Sequence, residues 1–97
     1  MMPVRIFDKA EPAFNALSAD LRESILAKAV KFLANPLLGT HFKGSLNCIH
    51  KLDLGRYRVL LKYYKNLNHA DIVHVGPRKD IYREAGPMYA SYQRSRE

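Results

Sequence analysis

The chain has one cysteine, no tryptophan and only nine acidic side chains in 97 residues. Cys48 has no intrachain partner, so a disulfide framework is excluded, and no Cys/His spacing of the finger or ribbon kind points to structural zinc. Long apolar runs are missing too. The longest stretch without Asp, Glu, Lys or Arg is Phe32 to Phe42, eleven residues interrupted by Asn35, Pro36 and Gly39, against about 20 apolar residues for a membrane span. The start, Met-Met-Pro-Val-Arg-Ile-Phe-Asp, lacks a basic segment followed by an apolar stretch, so no secretory signal is expected and the expected address is the cytoplasm. There is no Gly-rich phosphate loop, Ser/His/Asp signature or HExxH, which leaves nucleotide-binding and zinc-hydrolase readings without support. No cofactor or metal is expected.

What is present is positive charge. Sixteen Lys and Arg give a net charge of +7 and a pI near 9.8. Residues 1–40 carry five basic and four acidic side chains, whereas residues 41–97 carry eleven against five. The second half therefore faces the partner, and nucleic-acid phosphate is the commonest partner for such a field; an anionic membrane, an acidic protein or a merely soluble basic surface are the alternatives. A hydrophobic content of 47% beside 26% charged residues is that of a folded globular chain, and this length accommodates one core.

Val4 to Phe7 reads as a short strand, with Val4 and Ile6 on one face. Pro12 suits the first turn of a short helix ending near Leu17. From Asp20 the apolar residues Leu21, Ile25, Ala29, Phe32 and Leu33 recur at helical spacing, acidic residues leading and Lys28 and Lys31 trailing. Pro36 ends that helix by disfavouring the helical region for Asn35. Beyond a loop, Leu46 to Asp53 and Arg56 to Tyr64 read as strands about a Leu54-Gly55 turn, and Ala70 to Val75 as a third. The predicted class is α+β: a short N-terminal strand and two helices packed on one face of a mainly antiparallel four-stranded sheet. Residues 1–85 form the predicted domain, and residues 86–97, opening with Gly86-Pro87, a tail that is either loose or docked through Met88, Tyr89 and Tyr92.

With Leu54-Gly55 as the turn, Lys51 lies opposite Arg58, and on the next pair Val59 opposes Val75, Leu60 opposes His74 and Leu61 opposes Val73. One face then collects Cys48, Leu52, Tyr57, Val59, Leu61, Tyr63, Val73 and Val75 under the helices. The other collects Ile49, Lys51, Arg58, Lys62, Ile72 and His74. Like charges directly opposite each other are destabilising, so a bound phosphate over Lys51 and Arg58 is one explanation; neutralisation by Asp53, Asp80 or Glu84 is the other. His50, on the covered face, reads as a buried structural histidine.

Gly55-Arg56-Tyr57-Arg58-Val59-Leu60 and Val75-Gly76-Pro77-Arg78-Lys79-Asp80-Ile81-Tyr82-Arg83 resemble the "G-x-Y-R-V" strand and "V-G-x-R-K-D-x-Y" terminus of the RelE/ParE superfamily of type II toxin–antitoxin toxins. The resemblance spans about residues 3–84. It implies a RelE-like, microbial-ribonuclease-like fold. It also implies a toxin that enters the ribosomal A site and cleaves mRNA by 2′-hydroxyl attack on the adjacent phosphate, held in check by a cognate antitoxin. No membrane partner is expected, and no direct reading of DNA except through the antitoxin. Matched position by position, Lys51, Arg58, Arg78 and Tyr82 are the expected catalytic group. Arg58 and Arg78 suit the scissile phosphate. Tyr82 is a candidate to deprotonate or orient the 2′-hydroxyl, and Lys51 a candidate proton-transfer group or electrostatic stabiliser. Lys43, Arg56, Lys62, His74, Lys79 and Arg83 are the expected RNA-binding cations and donors. Two positions depart from the pattern: Ile49 stands where some relatives have a second lysine, and Pro77 where many have histidine, a loss that His74 is placed to offset. The ParE branch implies the alternative of gyrase inhibition without chemistry, and a decayed basic binding module is the third reading.

Overall fold

A computed structural model describes residues 3–41 and 48–95. Strand β1 (Val4–Ile6) leads through a short 3-10 turn into helix α1 (Glu11–Asn15), with Pro12 in its first turn, and then α2 (Ala19–Ala34). Ser18 caps α2 by accepting a hydrogen bond from the Leu21 N–H at 3.2 Å, which satisfies one of the amides that a helix start leaves without an intrahelical acceptor. The Arg22 guanidinium reaches back to the Leu17 and Asn15 carbonyls, tying the two helices together. As expected, α2 stops at Asn35, whose φ and ψ of −148° and 86° leave the helical region before Pro36.

Five strands form one sheet in the order β1-β5-β4-β3-β2, where β2 is Thr40–His41, β3 Ile49–Leu54, β4 Tyr57–Tyr64 and β5 His69–Pro77. Among the described strands only β1 runs parallel to its neighbour, β5. Two-residue β2 is the edge strand beyond the four expected.

The hairpin turn is Gly55-Arg56, one residue later than the spacing suggested. Leu54 remains paired with Tyr57 and packs on the core, and Gly55 takes the left-handed φ of 57°, a conformation open to glycine at little cost. That single step moves every cross-strand partner by two. Asp53, not Lys51, lies opposite Arg58, and Lys51 faces Leu60. The predicted like-charge pair is thus an opposite-charge pair, and the sheet itself demands no external anion.

Val59 opposes Val75 and Leu60 opposes His74 as expected, but a bulge between Leu60 and Leu61 pairs Leu61 with Ile72. A bulge inserts one residue and reverses the alternation beyond it. Ile72 therefore joins the helix-covered core with Phe14, Ile25, Phe32, Leu52, Val59 and Leu61, and Val73 turns to the opposite face.

That opposite face is a second core. Helix α3 (Arg78–Ser95) lays Ile81, Ala85 and Tyr92, with Met88 and Tyr89 beside them, over Ile49, Leu60 and Val73. Residues 86–95 continue this helix. Pro87 sits inside it, which ordinarily costs about 3 kcal/mol, and the buried anchors hold the segment nonetheless. Tyr92 packs edge-on against Phe7, and its hydroxyl donates at 2.6 Å to Asp71, which is 1% exposed. Cys48 leaves the predicted core face for this side, its thiol donating to the Tyr89 hydroxyl at 2.9 Å.

Candidate active site

The two elements that meet at one end of the sheet bring the cations together. Tyr57 pairs with Pro77 at the top of β4 and β5, and the Arg78 N–H donates to the Arg56 carbonyl at 2.8 Å. Helix α3 thus starts directly beside the hairpin turn. Between them opens a groove of about 740 Å³, walled by Gly55, Arg56, Tyr57 and Arg58 on one side and Pro77, Arg78, Lys79 and Tyr82 on the other. From α2, the Lys28 ammonium donates to the Asp53 carbonyl at 2.5 Å and steadies the hairpin from behind.

Three of the four expected catalytic residues converge on one oxygen. The Lys51 ammonium lies 3.2 Å from the Tyr82 hydroxyl, and the Arg58 Nη1 hydrogen-bonds to the same hydroxyl. Both cations also lie over the Tyr82 ring, 5.3 and 5.0 Å from its centroid. These neighbours favour the phenolate: the hydrogen bond from Lys51 is the largest influence, burial opposes it, and the hydrogen bond and charge of Arg58 add to Lys51 to hold the Tyr82 pKa below the ordinary tyrosine value. Tyr82 itself is 55% exposed and open to a ligand.

Arg58 is differently disposed from the sequence expectation. It is 6% exposed, and its Nε and Nη2 bind the two carboxylate oxygens of Asp53 at 2.5 and 3.2 Å. The fork assigned to phosphate holds a carboxylate. Asp53 is correspondingly acidic, chiefly through the Arg58 hydrogen bond. Arg78 stands at the rim, 54% exposed, with its Nε 3.9 Å from Asp53. It is better placed than Arg58 to meet a phosphate from solvent.

The remaining candidates divide. Arg56 and Lys79 line the groove and are exposed. Arg83 points to Asp80 at 3.3 Å, and the Lys62 ammonium lies 5.7 Å from the Tyr64 ring centroid; neither lines the groove. His74 is buried beneath α3 with Nε2 3.1 Å from Glu84, and it is not among the residues that line the groove. Lys43 lies outside the described residues. Ile49 is buried under α3, a position that an ammonium would occupy only at a large desolvation cost. His50 is buried, edge-on to Phe32 and Tyr63. Asp53 is the site neighbour whose position the sequence understated, and the signal for it was the turn: placing Gly55 first in the turn sets Asp53 against Arg58.

Among the described residues no group of three or more His, Cys, Asp or Glu is placed to hold a metal ion, and no described helix is long and apolar enough to cross a membrane.

No family model matches the chain, and no curated protein matches it. Solved structures do. The isolated E. coli RelE toxin is similar with a TM-score of 0.64 at 21% identity, over 87% of this chain and 94% of that one. An arginine-substituted variant of E. coli RelE in the free state gives a TM-score of 0.67 at 20% identity, over 90% and 88%. The RelBE2 toxin–antitoxin complex from Mycobacterium tuberculosis gives 0.55 at 25% identity, over 82% and 97%. The fold of this chain is the RelE fold, as its two motifs suggested.

Proposed function

We propose that the chain is the toxin of a type II toxin–antitoxin pair, a cytoplasmic endoribonuclease that cuts mRNA in the ribosomal A site. The observation that carries this reading is the meeting of Lys51 and Arg58 on the hydroxyl of Tyr82 at the mouth of a cationic groove. RNA cleavage by its own 2′-hydroxyl needs a base for that hydroxyl, fixed positive charge for the phosphorane oxygens and a proton for the departing 5′-oxygen.

Each need has a candidate here. The Tyr82 phenolate, favoured by its two cations, takes the 2′-hydroxyl proton. The 2′-oxygen then attacks phosphorus and the bond to the 5′-oxygen breaks, leaving a cyclic phosphate and a 5′-hydroxyl. Arg78, at the rim, meets the growing charge on the phosphate oxygens, and the Lys51 ammonium supplies the proton for the leaving oxygen. Arg56 and Lys79 hold the flanking backbone. The ribosome contributes by fixing the nucleotide in line. The cognate antitoxin restrains the activity, in keeping with the RelBE complexes among the similar structures.

Primer extension on translating ribosomes tests the proposal. Expression of the chain is expected to arrest growth and leave cuts within A-site codons, and Arg78→Ala is expected to lose the cuts while remaining folded. Growth arrest without A-site cuts overturns the nuclease in favour of gyrase inhibition; neither arrest nor cuts leaves a binding module.

A further inference from the structure

One carboxylate pairs with two of the cations that line the groove. Asp53 comes from the strand end directly opposite Arg58 and occupies both donors of its side-on face. It also approaches Arg78. With Nη1 directed to Tyr82, the Arg58 guanidinium is engaged on two sides. Asp53 is 48% exposed while Arg58 is nearly closed off, so an anion entering from solvent meets the carboxylate and not the guanidinium. A bidentate Arg–carboxylate pair has the same planar complementarity as Arg–phosphate, so the two anions compete for one place.

We propose that Asp53 is a built-in counter-anion of the groove: it holds the Arg58 fork where a substrate phosphate would bind, lowers the affinity for loose polyanions and dedicates Arg58 to Tyr82. This rests on the groove being the RNA site and changes the division of labour within it. Phosphate is received by Arg78, while Arg58 acts on the phenol. Asp53 thereby sets specificity. A free RNA strand offers only charge, which the carboxylate repels; an RNA positioned by the ribosome brings its phosphate to Arg78 without needing the Arg58 fork.

The test uses the full chain and a 2′-O-methyl oligoribonucleotide, which binds without being cut. Asp53→Asn retains the size of the side chain and removes its charge. It is expected to bind the oligonucleotide roughly tenfold more tightly at moderate salt, with a salt dependence steeper by about 0.7 in log–log slope, the value for one additional phosphate contact on a single strand. In an Arg58→Gln background most of that gain is expected to vanish. An Asn variant that binds no more tightly overturns the proposal. So does a gain of full size without Arg58, because that reports net charge alone.

Nitrogen NMR on the unsubstituted protein provides a second measurement that needs no variant to fold. On titration with inorganic phosphate the Arg78 Nε resonance is expected to move and that of Arg58 to stay. Movement of Arg58 first overturns the proposal. Tightened binding by Asp53→Asn together with an absence of A-site cuts refutes the nuclease and leaves the counter-anion standing, so the two failures are distinct.

Discussion

Replacing Tyr92 by Phe removes one oxygen, and the structure says what that oxygen does. It donates to Asp71 at 2.6 Å, meets the Tyr64 hydroxyl and anchors the last turns of α3. Asp71 is almost wholly buried and retains His69 at 2.6 Å and Arg5 at 3.8 Å among its partners. A hydrogen bond to a buried charged group contributes about 1.5–3 kcal/mol, out of roughly 5–15 kcal/mol for a whole domain. At about 4–8 °C per kcal/mol for a chain near this size, the melting temperature is expected to fall by roughly 6–24 °C. Urea and thermal unfolding followed by circular dichroism measure it. Tyr89→Phe, which loses the acceptor for the Cys48 thiol and a hydrogen bond with Gln93, is expected to cost less. A Tyr92→Phe variant within about 0.5 kcal/mol of the parent, the range of an ordinary surface change, would refute the docking of residues 86–95 and with it the second core.

The same tyrosines govern alkaline stability. Burial, then Cys48, pushes Tyr89 up to about 12, and burial, then Asp71, pushes Tyr92 up further; the unfolded chain ionises both near 10. Above pH 10 the unfolded state holds fewer protons, so stability is expected to fall as pH rises, less steeply in Tyr92→Phe; equal slopes would count against the raised value. For Tyr82 the direction is opposite: its lowered pKa predicts cleavage that rises with pH and levels off below pH 10. Lys51→Met, which removes the largest lowering influence, is expected to move the Tyr82 ionisation itself, followed by ring-carbon NMR, to higher pH, and an unmoved midpoint would refute the hold of Lys51 on the phenol. Tyr82→Phe is expected to lower the cleavage rate by about 10²–10⁴ with little change in melting temperature, since the side chain is largely exposed. Gly55→Ala forces a Cβ into a left-handed φ and is expected to cost about 1–2 kcal/mol, measured by the same unfolding curves.

Local rules in the sequence determined much of this protein. Helical spacing from Leu21 to Leu33, the stop at Asn35-Pro36 and strand alternation around Leu52 and Val59 are properties of neighbouring residues, and they hold in the structure. The nearness of Arg58 and Tyr82, one in each motif, holds too, while Lys51 reaches them from a register other than the predicted one. What the sequence left undecided depends on contacts between distant parts of the chain. The turn began at Gly55 because Leu54 had a core to pack on, and this put Asp53 in the Arg58 fork. The bulge at Leu60/Leu61 exchanged Ile72 and Val73 between faces, a choice that period-two alternation has no means to express. Gly86-Pro87 reads locally as an end, yet the helix runs through it, because Ile81, Ala85 and Tyr92 find apolar partners on a sheet face that exists only once β3, β4 and β5 are assembled. Periodicity records the preference of a segment for one buried side; which surface buries it, and which charge meets which, is decided when the segments pack.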